Sequence, residues 1–262
     1  MDLQPVPSIP ALRAEEYLII GDLHIGVEAH LGAKGFHITS HTDDMFDNIL
    51  TAAGKTSSKL IVLGDVKDSV PGSTKQEYRE IPMFFDRLLE HFDTIDVIRG
   101  NHDTSIEEFL PSRVCTRPAS GLKIEDIGFI HGHTWPSENV MAAKTLVMGH
   151  DHPSIMFRDG VGRLATEPCW VRGKFLKTST DKYPTLPEIF IIIPAFNRML
   201  GGSPVNIIGE GLLGPILNSD LLDLDNANIH TLDGIDLGKR SDLMIKGRNT
   251  SKWKNKHQIK EL

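Results

Sequence analysis

Apolar residues fall along this chain in short unbroken runs, and each run ends in a polar block. Tyr17 to Ile20 leads into Gly21-Asp22-Leu23-His24, and Leu60 to Leu63 into Gly64-Asp65-Val66-Lys67-Asp68. Ile95 to Ile98 precedes Gly100-Asn101-His102-Asp103. Ile127 to Ile130 precedes His131-Gly132-His133, and Leu146 to Met148 precedes Gly149-His150-Asp151-His152. Short apolar runs without alternation predict strands buried on both faces.

Between the runs the apolar period lengthens. Met45, Phe46, Ile49, Leu50 and Ala53 share one helical face, with Thr39 or Ser40 as cap. Asp43 and Asp44 sit in its first turn, where carboxylates suit the helix dipole. Phe84, Phe85, Leu88, Leu89 and Phe92 form a second face, on a helix expected to start at Ile81-Pro82. Strand–helix alternation predicts a layered α/β fold, with functional groups gathered at strand C-terminal ends. After His152 the texture changes to strands without long helices: Ile155–Phe157, Cys169–Phe175, Glu188–Ile193 and Ile229–Leu232. Gly201-Gly202, Pro204 and the glycines from Gly209 to Gly214 mark turns. These strands are expected to complete a second sheet of one domain spanning residues 1–245, with 246–262 as a flexible basic tail.

Composition narrows the class. Hydrophobic residues make up 40% and charged residues 24%, ordinary for a soluble globular chain. No apolar run approaches the ~20 residues of a membrane span. The N-terminus has no basic start followed by an apolar stretch, so a cytoplasmic location without a secretory signal is expected. Cys115 and Cys169 read as two reduced thiols, with a disulfide as the less favoured alternative. The net charge of −7 is unevenly spread. From Lys239 onward eight Lys/Arg face two Asp/Glu, a local +6 that leaves −13 on the rest. So acidic a body argues against a long basic groove for duplex DNA. The tail, with Lys252, Lys254, Lys256 and Lys260 around Trp253, is a solvated terminus or a basic arm for nucleic acid or an acidic partner.

The blocks carry the candidate chemistry. Asp22, His24, Asp65, Asn101, His131, His150 and His152 offer carboxylate, carboxamide and imidazole donors but no thiolate. Such a set favours Mn, Fe, Zn, Co or Ni over a Cys-based structural site. If extended geometry persists past the strands, Asp22 and His24 point the same way, as do His150 and His152. Seven donors suffice for two divalent cations, which polarise phosphoryl oxygens and lower the pKa of a water. His133 reads as a substrate contact or a supporting residue. Trp135 reads as a stacking rim or a packing residue, and Arg172 as a phosphate clamp or a surface arginine.

Taken in order, the blocks resemble the signature of calcineurin-like metallophosphoesterases. The Gly-Asp-Leu-His-Ile-Gly start and the Pro194-Ala-Phe-Asn197…Gly201-Gly202…Val205-Asn206 segment resemble a narrower branch. That branch is the archaeal phosphoesterases related to the nuclease subunit SbcD, akin to bacterial ligase-associated phosphoesterases. The resemblance implies a four-layer α/β/β/α sandwich with a dinuclear centre, most readily of Mn²⁺. It implies that Asp22, His24 and His152 hold one metal, that Asn101, His131 and His150 hold the other, and that Asp65 bridges them. His102 would face the substrate, with Asp68 orienting it. The leading expectation is a phosphodiesterase for nucleic acid or nucleotides, single-stranded ends included, with a helicase or repair protein as partner. The chain has no room for the large capping domain of SbcD-type nucleases. A small-molecule phosphatase, a cyclic-nucleotide diesterase, or an interaction module on the same scaffold are the alternatives.

Overall fold

The computed structural model describes residues 1–36 and 38–246; the Lys252–Lys260 arm around Trp253 lies outside the described residues. Strands β1 (Gln4–Pro5), β2 (Leu12–Ala14), β3 (Tyr17–Ile20), β4 (Lys59–Val62), β5 (Thr94–Ile98) and β6 (Cys115–Arg117) form one sheet in chain order. From β3 to β6 the strands are parallel. Helices α1 (Val27–Ala33), α2 (Thr42–Ala53) and α3 (Lys75–Leu88) fall in the links between them. The second sheet holds β7 (Leu122–Ile124), β8 (Ile127–Ile130), β9 (Thr145–Met148), β10 (Pro153–Arg158), β11 (Leu164–Lys174), β12 (Ile189–Ile192) and β13 (Ser203–Pro204). Its order is β13-β10-β11-β12-β9-β8-β7, with β14 (Asn228–Thr231) and β15 (Asp236–Lys239) extending from β11. At its centre β8, β9 and β12 are parallel.

The unbroken apolar runs follow from two faces that are both covered. In β3, Leu18 and Ile20 pack under Phe46, Ile49, Phe84 and Phe85 of α2 and α3, while Ile19 points into the seam between the sheets. The seam is filled by Ile19, Ile61, Leu63 and Ile98 from the first sheet against Phe129, Val147 and Ile191 from the second. On the far face of the second sheet, Met148, Val171, Phe190 and Ile192 lie under Val140, Tyr183, Leu212 and Ile216. Successive strand residues point to opposite faces, so a strand covered on both sides needs apolar residues at every position. The expected α/β/β/α layering is present. Its second outer layer is the one-turn helix α4 (Glu138–Met141) with irregular chain, in which Gly209, Gly211 and Gly214 disfavour a longer helix.

Two helix starts differ from the expectations. α2 begins at Thr42 with His41 as cap and no side-chain capping bond. Ser40 instead donates to Glu80 at 2.7 Å. α3 begins at Lys75, well before Ile81-Pro82, because Thr74 and Glu77 form a reciprocal capping box. Pro82 therefore lies in the helix interior, where it removes an N–H that would meet the Tyr78 carbonyl. Cys115 and Cys169 are both free. No helix among the described residues is long and apolar enough to cross a membrane.

Pro82→Ala should restore the missing helical bond and stabilise the fold by about 1–3 kcal/mol. Urea unfolding checks this; an unchanged or lower midpoint would show that α3 does not bear the cost of its proline.

Candidate metal centre

All five blocks leave their strands at one end of the sandwich. Asp22 and His24 follow β3, Asp65 follows β4 and Asn101 follows β5, all from the first sheet. His131 follows β8, and His150 and His152 follow β9, from the second. The backbone is not extended here as expected from the i, i+2 spacing. Asp22, His24, Asp65, His150 and His152 all have positive φ, between 41° and 71°. A left-handed residue with a Cβ costs roughly 1–2 kcal/mol, so strain collects where the side chains converge. Adjacent blocks are tied by Asp22 N donating to Gly64 O at 3.0 Å and His24 N to Asp65 O at 2.9 Å. Two block glycines are dictated by space. A Cβ on Gly100 would collide with the Asp65 carboxylate, and one on Gly149 would lie 2.8 Å from Asp22 Oδ2.

The side chains meet across the seam. Asp65 Oδ2 lies 3.4 Å from His24 Nε2 and 3.3 Å from His131 Nε2. Asp22 Oδ1 lies 3.3 Å from His152 Nε2 and 3.6 Å from His131 Nδ1. Asn101 Oδ1 lies 3.1 Å from His131 Nε2, and the His131 and His150 rings are 4.8 Å apart. Asp22, Asp65 and His131 are almost wholly buried. Burial alone would depress the His24 imidazole, but the Asp65 carboxylate beside it and its bond to Asp68 outweigh that and push it up to about 10. His131 is raised in the same way by Asp65 and Asp22 despite its burial. The two carboxylates are correspondingly lowered, against their own burial. His150, buried beside charged His131, is instead lowered to about 4.

These residues fit a pair of divalent cations. Donor atoms of Asp22, His24 and His152 lie within 4.8 Å of one another, as do those of Asp65, His131 and His150. The Nε2 atoms of His24 and His152 are buried without a hydrogen-bond partner, although carboxylate oxygens stand 3.3–3.4 Å away. A buried imidazole nitrogen facing a carboxylate without bonding it is what a metal-ligand pair presents when the cation is taken away. Asp65 joins both groups.

His102 stands next to this cluster, its ring 4.8 Å from that of His24 and its side chain 29% exposed. Its partner differs from the expected one. His102 Nδ1 donates to the backbone carbonyl of Asp68 at 2.5 Å, whereas the Asp68 carboxylate accepts from His24 Nδ1 at 3.2 Å. Asp68 thus positions two histidines, one with its backbone and one with its side chain. Two carboxylates with no role expected from the sequence hold this region. Glu77 Oε1 accepts from Asp68 N at 3.0 Å and Ser69 N at 2.7 Å, so the α3 cap also fixes the Asp68 loop. Asp103 accepts from Val66 N and Gly100 N at 2.9 and 2.8 Å, tying the second block to the third. The Thr-x-x-Glu spacing could have revealed Glu77; Asp103 belongs to the third block, but nothing local marks its bond to Val66 N.

The remaining candidates divide. His133 lies beside the cluster, with ring centroids 5.2 Å from His131 and 6.0 Å from His150, and its burial lowers its pKa. Trp135 packs against Tyr183 under the Lys182 ammonium, 4.0 Å from its ring, on the outer face of the second sheet. Arg172 lines a cavity of about 370 Å³ with Leu3, Leu12 and Trp170 at the sandwich edge, and none of the metal candidates lines that cavity. Neither is brought to the cluster.

A sequence model of the calcineurin-like phosphoesterases matches residues 16–178, which contain every block. No curated protein matches the chain by sequence. Among solved structures, the nuclease MPE of Pseudomonas putida shares the fold, with TM-score 0.52 and 17% identity over 88% of this chain and 96% of its own. The phosphoesterase YfcE of E. coli matches with TM-score 0.39 and 16% identity, over 85% and 97% of the two chains. A metallophosphoesterase from Sphaerobacter thermophilus matches with TM-score 0.35 and 14% identity, over 88% and 91%.

Metal uptake should release protons. In the metal-free chain the raised pKa of His24 stabilises the fold fully below pH 6.5, and this is lost as pH rises through about 10. A cation must displace that proton, so Mn²⁺ affinity should climb between pH 6 and 8 by up to about tenfold per pH unit for each proton released. Calorimetry in buffers of different ionisation enthalpy measures the release; an affinity independent of pH would contradict the assignment of His24.

Proposed function

The chain belongs to the calcineurin-like phosphoesterase family, and we propose that within it the chain is a dinuclear phosphodiesterase acting on nucleic acid or nucleotide-derived diesters. It is a metal-dependent phosphoester hydrolase; the diester preference, the choice of Mn²⁺ and the substrate are our reading. In that reading Asp22, His24 and His152 hold one cation, Asn101, His131 and His150 the other, and Asp65 is shared. Bound there, two cations supply Lewis-acid polarisation of the phosphoryl group and activation of a water nucleophile.

The chain's own contribution rests on His102. Its Nδ1–H is held by the Asp68 carbonyl, which accepts only, so the ring is fixed in orientation and Nε2 is left toward the cluster. Nε2 lies 4.0 Å from Asp65 Oδ2, at the boundary between the candidate ligands and solvent. From there a protonated ring can donate to the departing oxygen of a diester, a poor leaving group as a bare alkoxide. The Asp65 carboxylate accepts from His102 N at 2.9 Å and fixes the backbone under the ring. The single observation that carries the proposal is the convergence of seven donors and one free-edged histidine at the seam. The name of the Pseudomonas putida relative, a nuclease, supports nucleic acid as substrate. The Pro194–Asn206 segment supports the SbcD-related branch, where a helicase or repair partner fits.

The acidic body favours a second reading, a small diester or phosphomonoester in place of a polymer.

A matrix of metals against substrates tests both readings. We expect Mn²⁺-dependent hydrolysis of bis(p-nitrophenyl) phosphate and of single-stranded oligonucleotides. Activity on the aryl diester with none on any DNA or RNA would select the second reading. His102→Ala should lower kcat about 10²–10⁴-fold while the protein still binds metal; full activity in a metal-replete variant would remove His102 from the reaction.

A further inference from the structure

The proposed reaction leaves one sequence feature unused, the Pro194-Ala-Phe-Asn197 segment with Gly201-Gly202. In the structure this segment is fastened to the metal-binding blocks at both ends. Phe196 N donates to Gly21 O at 2.9 Å, Asn197 N to Asp22 O at 3.3 Å, and Asn197 Nδ2 to Leu23 O at 2.9 Å. Asn197 Oδ1 accepts from Met199 N at 3.0 Å, so Arg198 is suspended between two anchored residues. At the far end Ser203 N donates to His152 O at 2.8 Å. Gly202, at φ +61°, passes so close that a Cβ there would lie 2.9 Å from Ser154 Cβ and 3.0 Å from His152 O.

Beneath this loop a cavity of about 310 Å³ opens beside His152. Pro168, Met199 and Leu200 give it apolar walls, Arg198 supplies a guanidinium, and Glu167 places one carboxylate on the rim it shares with a neighbouring cavity. Arg198 is exposed and makes no ion pair among the described residues. The buried hydroxyl of Ser154, also on the wall, has no hydrogen-bond partner. Two further cavities share Arg198, one of about 370 Å³ with Glu167 and Asp233, the other of about 500 Å³ with Asp44 and Asp47. Arg198 is the one Arg or Lys lining any of the three.

We propose that the cavity beside His152 is a nucleotide subsite in which Arg198 receives the phosphate next to the scissile diester. The inference rests on the phosphodiesterase reading and names its substrate class. A volume near the lower end of ligand pockets (~300–1,000 Å³) suits one nucleoside. The apolar walls take its base and sugar, and the guanidinium matches a phosphate bidentately. Past Arg198 the walls of the further cavities carry Asp233, Asp44 and Asp47, carboxylates that repel a continuing polyanion. The site therefore selects short or terminal nucleotide chains with one further phosphate, which reconciles an acidic body with a polyanionic class of substrate.

Thymidine 3′,5′-bisphosphate has one phosphate for the metal blocks and one for Arg198; thymidine 5′-monophosphate has only the first. Both are titrated calorimetrically into the Mn²⁺-equilibrated wild type and Arg198→Ala. The variant should bind the bisphosphate about tenfold more weakly, bind the monophosphate within twofold of wild type, and hydrolyse bis(p-nitrophenyl) phosphate at an unchanged rate. Equal bisphosphate affinity in the two proteins, equal weakening of both ligands, or no bisphosphate binding to the wild type overturns the subsite. Failure of the underlying reading shows separately, as absent metal-dependent hydrolysis of the aryl diester by the wild type.

Discussion

Two carboxylates, Asp22 and Asp65, are buried at the ends of neighbouring parallel strands, and a buried carboxylate has to be matched by positive charge or hydrogen bonds. Both face imidazoles contributed by the second sheet. His131 donates to the Leu63 carbonyl of the first sheet at 2.7 Å and lies 3.3 Å from Asp65. In the metal-free chain the match comes from His24 and His131, both raised in pKa by the carboxylates they touch. The positive-φ turns, the glycines pressed on the carboxylates and the Asp103 bridge all serve to bring these charges together.

Much of this was legible in the sequence because it is local. Each strand before a block was visible as an apolar run, since a strand covered on both faces admits little else. The seven donors were visible because each ends such a run. The start of α3 was misread because Pro82 suits a first turn, and that cue masked the Thr74–Glu77 box. The partner of the Asp68 carboxylate was not legible at all. Whether it meets His24 or His102 depends on a few ångströms of loop geometry set by Glu77. Trp135 and Arg172 were plausible by residue type, but type does not say which face of a sheet a side chain covers.

The second half of the chain looks secondary in sequence, being poor in motifs and rich in turns. It nevertheless shapes the surroundings of the cluster. Gly214 approaches so closely that a Cβ there would strike the Gly132 carbonyl, and Asp151 receives the Leu213 N–H at 2.6 Å. Its buried carboxyl is pushed up to about 7, the mark of a group closed off from water by that loop. The Phe196–Gly202 loop packs beside His152 and shapes the cavity there. The candidate ligands all lie at or before His152 in the sequence, and the chain that follows packs around them.

The candidate ligands are divided between two sheets that otherwise meet through apolar side chains at the seam. A cation held by both is therefore a cross-link, and it exists only when the halves are correctly docked. Ligands that bind the native state alone stabilise it by RT ln(1 + [L]/Kd), about 2.7 kcal/mol at a hundredfold excess over Kd. A divalent ion bound across the seam would therefore firm the closure of the sandwich as well as serve the reaction. Without the metal the chain would lose that cross-link along with its chemistry, and would open more easily to proteases.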